Sequence, residues 1–329
     1  MAAEEILVTG ATGLIGNAIV RDLVQQGLSV RAVIRSKDHK FLCESAVGQL
    51  SFVESDLLEL TEATARKLCE GVTSIVHCAG LVHKPNSKSD LYQRLNEQPT
   101  ELLAFAAKAE NVKQFVFLSS SSVYGNRETH MVSEDEPWIS DTPYALSKIN
   151  CERLLRENPA AESTAIIRPS MVFGEGDRGN MLPLIRQVLS GKYFLISQGQ
   201  AQKSLIYAKD FARAMRLILE RKANGISTYN VANPNPVSMR DLSMNILAAA
   251  ERPTSIPSIP GALLQPVAAL ANVVLGARSP LSKDRLDKLT RSNTISIARF
   301  CSDYDFAPQH QLREALTNEI AWARAAKLL

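Results

Sequence analysis

A glycine-rich turn between an apolar strand and a helix is the feature that most constrains the fold of this chain. The apolar run Ile6–Val8 is followed by the sequence GATGLIG, from Gly10 to Gly16. Gly10 permits a tight turn, Gly13 lets a ligand approach the backbone, and Gly16 lets the helix pack closely on the sheet. Free N–H groups and the positive dipole end of that helix attract phosphate. In this context the GxxGxxG spacing predicts the phosphate cradle of a dinucleotide.

Strand and helix patterns alternate along the first two-thirds of the chain. The predicted strands are Ile6–Val8, Leu28–Ile34, Leu50–Val53, Ser74–Cys78, Phe115–Leu118 and Thr164–Ile167. The predicted helices lie near Leu14–Gln26, Leu91–Ala109 and Pro143–Glu157. Strands separated by helices predict βαβ units and a parallel sheet. We therefore expect an α/β fold, a Rossmann-type doubly wound parallel sheet with a smaller C-terminal substrate-binding lobe.

The strand–helix rhythm loosens after Arg168 and Pro169, where segments rich in glycine and proline interrupt it. We predict an NAD(P)-binding Rossmann domain over residues 1–170 and a substrate-binding lobe over residues 171–329. Late sheet elements interleave with the lobe, and Gly225–Val231 is predicted to return to the sheet. The last helix, near Gln309–Lys327, is amphipathic and should pack as a lid or brace.

Composition and charge narrow the classes of function. The chain has 329 residues, 45% of them hydrophobic, which is enough for a large core. Its net charge of +3 is small and its basic residues are scattered, so no nucleic-acid partner is expected. The five cysteines (Cys43, Cys69, Cys78, Cys151 and Cys301) show no CxxC spacing. They indicate reduced thiols in a cytoplasmic protein with no metal site, and the first residues lack a secretory signal.

One uncharged stretch, residues 261–277, is rich in Ala, Leu and Val. A membrane-spanning helix needs about 20 apolar residues, so this stretch is short for a span. We expect a buried or dimer-facing helix here. Contact with a membrane surface is the alternative.

The choice of dinucleotide depends on the end of the second predicted strand. Arg35 lies 19 residues after Gly16, at a distance where a carboxylate would bind the ribose 2′-hydroxyl of NAD. An arginine there can instead pair with the 2′-phosphate of NADP. The run Arg35–Lys37 therefore favours NADP(H), with NAD(H) as the alternative if Arg35 is only a solvated side chain. Asp56 follows the third strand and could accept from the adenine amino group, or it could cap a turn.

A tyrosine and a lysine on one helix indicate proton transfer. An ordinary tyrosine has a pKa of about 10 and is a poor base at neutral pH. Lys148 follows Tyr144 by four residues on the same helical face, and its charge should lower that pKa. A hydroxyl of the upstream serine cluster, Ser119–Ser122, can hydrogen-bond the substrate oxygen and share the proton. With the glycine turn, this pattern predicts hydride chemistry on a carbonyl or an alcohol.

These motifs together resemble one enzyme family. They are TGATGLIG (Thr9–Gly16), HCAG (His77–Gly80), Asn96, SSSSVYG (Ser119–Gly125), YALSK (Tyr144–Lys148) and RPSMVFG (Arg168–Gly174). Their order and spacing resemble the extended short-chain dehydrogenase/reductase family, also called the NAD-dependent epimerase/dehydratase family. The resemblance covers nearly the whole chain.

The resemblance implies roles for particular residues. Ser120 would be the catalytic serine, Tyr144 the acid/base, and Lys148 the residue that holds the nicotinamide ribose. With the residues discussed above, the expected cofactor-binding set is Gly10, Thr12, Gly13, Leu14, Ile15, Gly16, Arg35, Asp56, Leu57, Cys78, Ala79, Gly80, Tyr144, Lys148, Pro169 and Met171. The implied substrate-binding set is Ser120, Ser121, Tyr144, Asn180, Lys203 and Arg291.

The last third of the chain looks most similar to the nucleotide-sugar branch of the family. The dehydratases of that branch resemble one another in carrying Thr-Asp-Glu where this chain has Ser120–Ser122, so dehydration is not expected. The resemblance then implies hydride transfer at C4 of a nucleotide-diphosphate sugar, by a 4-keto sugar reductase or a 4-epimerase of polysaccharide precursor synthesis. Lys203 and Arg291 would contact the diphosphate. By the same resemblance the protein should be a homodimer that uses two helices per subunit.

Two other functions compete with this one. A hydroxysteroid or dihydroflavonol-type ketone reductase shares the cofactor and catalytic motifs, and it would explain the apolar stretch 261–277. A binding protein that senses the cofactor without catalysis is a third possibility. The intact set of Ser120, Tyr144 and Lys148 argues against it.

Overall fold

The computed structural model describes residues 4–36, 49–82, 89–139, 141–179, 181–262 and 290–329. Its strands, in chain order, are β1 (Glu5–Thr9), β2 (Ser29–Ile34), β3 (Leu50–Glu54), β4 (Ser74–His77), β5 (Gln114–Leu118), β6 (Thr129–Val132), β7 (Ser163–Pro169), β8 (Met171–Phe173), β9 (Leu195–Ile196), β10 (Gln202–Lys203), β11 (Leu205–Tyr207), β12 (Gly225–Val231), β13 (Val237–Ser238), β14 (Ser258–Ile259) and β15 (Asn293–Ile295).

Seven of these strands form the central sheet, in the order β12-β7-β5-β4-β1-β2-β3. Every neighbouring pair in it is parallel. The strand order reverses between β1 and β4, which is the point where ligands bind at the carboxyl ends of strands in open α/β sheets. The predicted doubly wound sheet is confirmed, and Gly225–Val231 returns to it at one edge.

The helices are α1 (Leu14–Gln25), α2 (Glu62–Cys69), α3 (Ser89–Tyr92), α4 (Gln98–Ala109), α5 (Pro143–Glu157), α6 (Met181–Leu189), α7 (Ala208–Arg221), α8 (Met239–Ala249), α9 (Ala298–Tyr304) and α10 (Leu312–Ala325). Helices α1 and α7 cover one face of the sheet, and α2, α4 and α5 cover the other. Alternate strand residues serve the two faces, so that Val76 points into one core and Ile75 into the other.

The lobe is built around a smaller sheet with the strand order β13-β10-β15-β6. Its core joins α6, α8 and α10, and Ile185, Ile246 and Leu316 are buried there. The pairing of β6 with β15 was not predicted, because it joins residues more than 160 positions apart. Strand β6 lies before residue 170 but belongs to the sheet of the lobe, and β12 lies after it but belongs to the central sheet. The boundary at 170/171 therefore stays a prediction.

The predicted long helix at 91–109 is interrupted in the structure. A π-helical turn, Gln93–Glu97, lies between α3 and α4. The inner face of α4 carries Leu103, Ala106 and Ala107, which are fully buried against the sheet of the same subunit.

Two sequence predictions fall wholly or mainly on residues that the structure does not describe. The uncharged stretch 261–277 lies outside the described residues from position 263 onward. In the described ranges, no helix has both the length and the hydropathy to cross a membrane. The described cysteines are free thiols, and Cys43 lies outside the described residues.

Candidate active site

The glycine turn after β1 fits a bound dinucleotide. Gly10 has a φ of +66°, and a Cβ there would lie 2.8 Å from the backbone nitrogen of Ala79. A Cβ at Gly16 would lie 2.2 Å from the carbonyl oxygen of Gly10. Gly16 therefore lets α1 pack closely on the turn that directly follows β1. Gly13 is the N-cap residue of α1 and has no side chain that could bond to the first N–H groups of the helix. These groups therefore remain available to phosphate.

A chain of hydrogen bonds connects this turn with the loop after β4. The Ala79 amide donates to Thr9 Oγ1 over 3.2 Å, and Thr9 Oγ1 lies 2.7 Å from His77 Nδ1. His77 Nε2 lies 3.1 Å from Thr100 Oγ1, which donates to the carbonyl oxygen of Asn96 over 2.6 Å. Because the Thr100 hydroxyl already donates its hydrogen bond to Asn96, it can only accept from the imidazole. His77 must therefore donate through Nε2 and accept through Nδ1.

Burial, together with the charge of Lys148, lowers the pKa of His77 to about 3. The ring is therefore neutral in the native protein. We did not predict a role for His77, although the sequence offered a signal, namely a polar residue at the end of an apolar strand.

The π-helical turn presents the side chain of Asn96 to the same loop. Asn96 Oδ1 accepts from the amide of Leu81 over 2.6 Å, and Nδ2 donates to Ser147 Oγ over 2.9 Å. A Cβ at Gly80 would lie 3.1 Å from Asn96 Oδ1 and 3.5 Å from Lys148 Nζ. The loop Cys78–Gly80, predicted to line the cofactor, is thus held between the glycine turn and α5. Turns of π-helix often occur at functional sites.

The structure brings the predicted catalytic side chains together at the start of α5. Thr142 caps this helix by accepting from the Ala145 amide over 3.1 Å, which places Tyr144 in the first turn. Tyr144 shares a side-chain hydrogen bond with Ser120. Lys148, one turn further on, is buried and donates to the Leu118 carbonyl oxygen over 2.7 Å.

The pKa of Tyr144 lies above the ordinary value of 10.0. Burial is the main cause and the nearby Tyr92 adds to it, while the hydrogen bond with Ser120 acts in the opposite direction. Our prediction of a lowered pKa is therefore wrong for this structure. The ammonium of Lys148 faces the Leu118 carbonyl and the Phe117 ring, 4.8 Å from its centroid.

Two buried hydroxyls lie in segments that we expected to line the cleft. Ser121 begins a short 3-10 helix, Ser121–Tyr124, in which Ser122 is half-buried. Ser170 stands between Pro169, the last residue of β7, and Met171, the first residue of β8. Within the described part of the chain, neither Ser122 Oγ nor Ser170 Oγ has a hydrogen-bond partner. These atoms can serve a ligand without losing an internal contact.

The residues expected around the adenosine lie at the ends of β2 and β3. Arg35 is exposed directly after β2, whereas Lys37 lies outside the described residues. Asp56 accepts from the Leu58 amide over 3.0 Å and caps the short 3-10 helix that Leu57 begins. The cap is the alternative that we had weighed for Asp56.

The predicted diphosphate contacts lie together in the lobe, although both also have internal partners. Lys203 Nζ donates to the carbonyl oxygen of Arg291 over 2.7 Å and to Asn293 Oδ1 over 3.0 Å. Arg291 donates to the Asn126 carbonyl oxygen over 3.1 Å. Asn180, the third predicted substrate contact of the lobe, lies outside the described residues.

The sequence model of the NAD dependent epimerase/dehydratase family matches residues 6–232. The chain belongs to this family. The match covers the glycine turn, Ser120, the Tyr144–Lys148 pair and the central sheet, apart from Glu5, the first residue of β1.

Several curated relatives span nearly all of the chain. The N-acetyl-alpha-D-glucosaminyl-diphospho-ditrans,octacis-undecaprenol 4-epimerase of Escherichia coli O157:H7 is 27% identical over 92% of this chain and 87% of its own. The 2-alkyl-3-oxoalkanoate reductase of Stenotrophomonas maltophilia is 28% identical, over 95% and 97%. The dTDP-4-dehydro-6-deoxy-D-allose reductase of Streptomyces bikiniensis is 28% identical, over 98% and 97%.

Among solved structures, MoeE5 in complex with UDP-glucuronic acid and NAD is similar to this chain over its whole length. It is 26% identical, with a TM-score of 0.75, and the match covers 98% of this chain and 99% of that one.

Proposed function

We propose that this member of the NAD-dependent epimerase/dehydratase family transfers hydride at C4 of a nucleotide-diphosphate sugar, as a 4-epimerase or a 4-keto sugar reductase. The observation that carries the proposal is the hydrogen bond between Ser120 and Tyr144, with Lys148 one helical turn behind. The similarity to a 4-epimerase, to a 4-keto sugar reductase and to a UDP-sugar complex supports C4 as the reacting carbon.

The residues divide between binding and proton transfer. The glycine turn and the N-terminus of α1 would hold the pyrophosphate of the cofactor, and Cys78–Gly80, Pro169 and Met171 would flank the rest of it. When bound, the nicotinamide accepts or returns the hydride. Ser120 orients the C4 oxygen of the substrate by a hydrogen bond. Tyr144 exchanges a proton with that oxygen, and Lys148 fixes the nicotinamide ribose.

The high pKa of Tyr144, which burial causes, favours one direction of this chemistry. A neutral phenol at pH 7 is ready to protonate a carbonyl oxygen, which is the step that a reductase needs. An epimerase also needs the reverse step, in which the tyrosine takes a proton from an alcohol. The 4-keto sugar reductase is therefore the variant that the site favours.

Water elimination is not part of the proposal. The segment Ser120–Ser122 supplies only hydroxyls, where a dehydratase needs a carboxylic acid and a carboxylate. Hydroxyl groups cannot exchange protons as an acid/base pair near pH 7.

For the cofactor we propose a preference for NADP(H) over NAD(H). The support is Arg35, which is exposed directly after β2, 19 residues after Gly16. A side chain at this position of the fold can pair with the 2′-phosphate of NADP. The structurally similar MoeE5 complex contains NAD, which makes NAD(H) the alternative.

We also propose a cytoplasmic homodimer. Phe105 on α4 is 57% exposed and Leu146 on α5 is 38% exposed, so the outer faces of these two helices carry apolar side chains. Exposed large apolar side chains on neighbouring helices are typical of interfaces between subunits.

An apolar ketone is the second candidate substrate, and a specific relative favours it. The 2-alkyl-3-oxoalkanoate reductase is about as similar to this chain as the sugar-specific relatives are. Such a substrate has no diphosphate, and Lys203 and Arg291 would then serve only to brace the lobe.

The test combines binding with turnover. Ligands that bind the native state alone raise the melting temperature, so UDP-, dTDP-, GDP- and polyprenyl-diphosphate-linked sugars are compared with a 2-alkyl-3-oxoalkanoate in the presence of NADPH or NADH. Carbon-13 NMR of the sugar then distinguishes the two reactions. A reductase consumes one reduced cofactor for each C4 alcohol formed, whereas an epimerase converts the sugar with no net consumption. Turnover of the oxoalkanoate alone would overturn the sugar assignment.

A further inference from the structure

A fully buried carboxylate lies on the same helical face as the two predicted catalytic residues of α5. Tyr144, Lys148 and Glu152 follow one another at intervals of four residues, so their side chains lie on one face of the helix. Glu152 has no exposed surface and Lys148 is only 5% exposed. A buried charge of this kind is costly unless it is paired.

Glu152 joins three elements of the site. Arg168, at the end of β7, pairs with it through Nε–Oε1 at 2.9 Å and Nη2–Oε2 at 2.6 Å. Ser119, at the end of β5, donates to Oε1 over 2.5 Å. Because Ser119 directly precedes Ser120, the carboxylate holds the predicted catalytic serine in register with α5.

The surroundings of Lys148 contain few charged groups. His77 and Cys78 face it from β4 and the loop that follows, and Cys151 and Glu152 face it from α5. Burial raises the pKa of Cys78 to about 12 and that of Cys151 to about 11, so both thiols are neutral at pH 7. His77 is neutral as well. Of these four groups, Glu152 is the one that forms an ion pair, which it makes with Arg168 at 2.6 Å.

Burial lowers the pKa of the Lys148 ammonium, and Cys151, Cys78 and Glu152 act against that lowering. Two of these three are uncharged near pH 7, and the third, the Glu152 carboxylate, lies one helical turn from Lys148 on the same face of α5. The hydrogen bond from Lys148 Nζ to the Leu118 carbonyl fixes the position of the ammonium but adds no charge.

We propose that Glu152 is a positioning residue of the catalytic site, which ties Ser119 to α5 and supplies the counter-charge of the buried Lys148 ammonium. Its catalytic consequence rests on the function proposed above, whereas its effect on Lys148 does not. Glu152 touches neither the substrate nor the cofactor in this assignment, and acts through Ser120 and Lys148.

The protonation of Lys148 can be measured without any substrate. Lysine labelled with carbon-13 at Cε is incorporated into the full-length protein, and the Lys148 resonance is identified by its loss in Lys148→Met. We expect Glu152→Gln to lower the pH midpoint of this resonance by about one unit, because the variant removes a carboxylate one helical turn away while the Arg168 guanidinium remains. The matched control is Glu134→Gln, a buried carboxylate that accepts from the backbone amide of Asn230 in β12 over 2.8 Å.

Glu152→Gln leaves Arg168 without its charged partner, which could prevent folding. The double variant Glu152→Gln/Arg168→Met removes both charges and keeps an apolar side chain of similar length. We expect its midpoint to lie between those of the wild type and Glu152→Gln, because removal of the Arg168 guanidinium offsets part of the effect of the lost carboxylate. A Glu152→Gln midpoint equal to that of the wild type would overturn the proposal, and so, if that variant does not fold, would a double-variant midpoint at or above that of the wild type.

Kinetics distinguish this proposal from the proposed function. If the wild type converts a sugar nucleotide, Glu152→Gln should lose activity at the alkaline end of its pH profile at a lower pH than the wild type, and Glu152→Asp should restore the wild-type limb. A role confined to stability would leave the profile in place and would contradict the proposal. If the wild type converts no sugar nucleotide but the Lys148 midpoint still moves, the proposed substrate is wrong and the assignment of Glu152 stands.

Discussion

Lys203 donates to the backbone carbonyl oxygen of Arg291 over 2.7 Å, so one of the two cations that we predicted to clamp a diphosphate is bonded to the segment of the other. Lys203 lies in β10 and Arg291 lies two residues before β15, which pairs with β10 through Lys203 and Asn293. Convergence of the two residues follows from this pairing. The pairing also gives Lys203 a bracing role, whatever ligand it meets.

Removing each cation tests whether it binds the substrate. We expect Lys203→Ala and Arg291→Ala to raise KM for the sugar nucleotide more than tenfold, because charge-assisted hydrogen bonds contribute about 1.5–3 kcal/mol each. The Kd for NADPH should change much less. Lys192→Ala, which removes an exposed cation elsewhere in the lobe, is the control. A lower melting temperature with an unchanged KM would show that Lys203 is a brace alone.

Replacement of Tyr144 tests proton transfer. Tyr144→Phe should reduce kcat by about 10²–10⁴-fold, the usual contribution of a general acid, while the Kd for the cofactor stays close to that of the wild type. The control is Tyr92→Phe. The Tyr92 ring lies 6.2 Å from that of Tyr144, and Tyr92 has no proposed role in proton transfer. A near-normal kcat for Tyr144→Phe would remove Tyr144 from the mechanism.

Arg35 determines the expected cofactor preference. In Arg35→Asp the carboxylate should repel the 2′-phosphate of NADPH and accept from the free 2′-hydroxyl of NADH, which reverses the preference. The ratio of the two Kd values, measured by calorimetry, gives the result. The surface variant Arg252→Asp should leave the ratio unchanged. Equal ratios for the wild type and Arg35→Asp would make Arg35 a solvated side chain.

The outer face of α4 should mediate dimer formation. Sedimentation of the wild type at micromolar concentration should give twice the chain mass of 36.0 kDa. Phe105→Glu places a charge in this interface and should shift the protein to monomer. Phe52→Glu is the matched control, since Phe52 is 51% exposed on the edge strand β3. A monomeric wild type would reject the dimer.

A buried acid in α10 should make stability depend on pH. Burial, together with the neighbouring Asp177 and Glu175, raises the pKa of Glu319 from 4.5 to about 9. The native state therefore keeps a proton that the unfolded chain releases near pH 4.5. Because the native state holds more protons in this range, the free energy of unfolding falls as the pH rises from about 4.5 to about 9, by up to about 1.4 kcal/mol per pH unit.

Glu319→Gln removes this titration and keeps the size of the side chain. Urea unfolding at pH 6, 7 and 8 should show that the stability difference between the variant and the wild type grows with pH in favour of the variant. The exposed Glu314 of the same helix gives the control, because Glu314→Gln should add no pH dependence. A constant difference between the wild type and Glu319→Gln would mean that Glu319 ionises normally in the native protein.

Local patterns in the sequence were sufficient to predict the sheet and to place the proposed catalytic pair Tyr144 and Lys148 on one helix. The glycine turn and the apolar strands predicted the βαβ units, and the spacing of Tyr144 and Lys148 placed both on one helical face, as α5 shows. Helix α5 even has the predicted bounds, because Thr142 and Pro143 form a strong N-terminal signal.

What the sequence did not predict depends on contacts between distant residues. His77 is bonded to Thr9 across 68 positions, and β6 pairs with β15 across more than 160. No local periodicity encodes such pairs. Burial is also a tertiary property, so the raised pKa of Tyr144 could not follow from its neighbours on the helix. Likewise, the apolar side chains of Leu103, Ala106 and Ala107 pack against the sheet of their own subunit. The structure, not the sequence pattern, shows that Phe105 points outward.

The row of groups that runs from the Ala79 amide through Thr9, His77 and Thr100 to the Asn96 carbonyl has a consequence for how protons move in this protein. Thr9, His77 and Thr100 each donate one proton and accept one, in a single direction, and the row ends at a carbonyl oxygen that cannot pass a proton on. A wire that relays protons needs members that can reverse their polarity, and the imidazole, with a pKa of about 3, resists the cationic form that reversal requires. The row therefore holds the loop in place but does not conduct protons. The proton that we propose Tyr144 exchanges must reach solvent by another route.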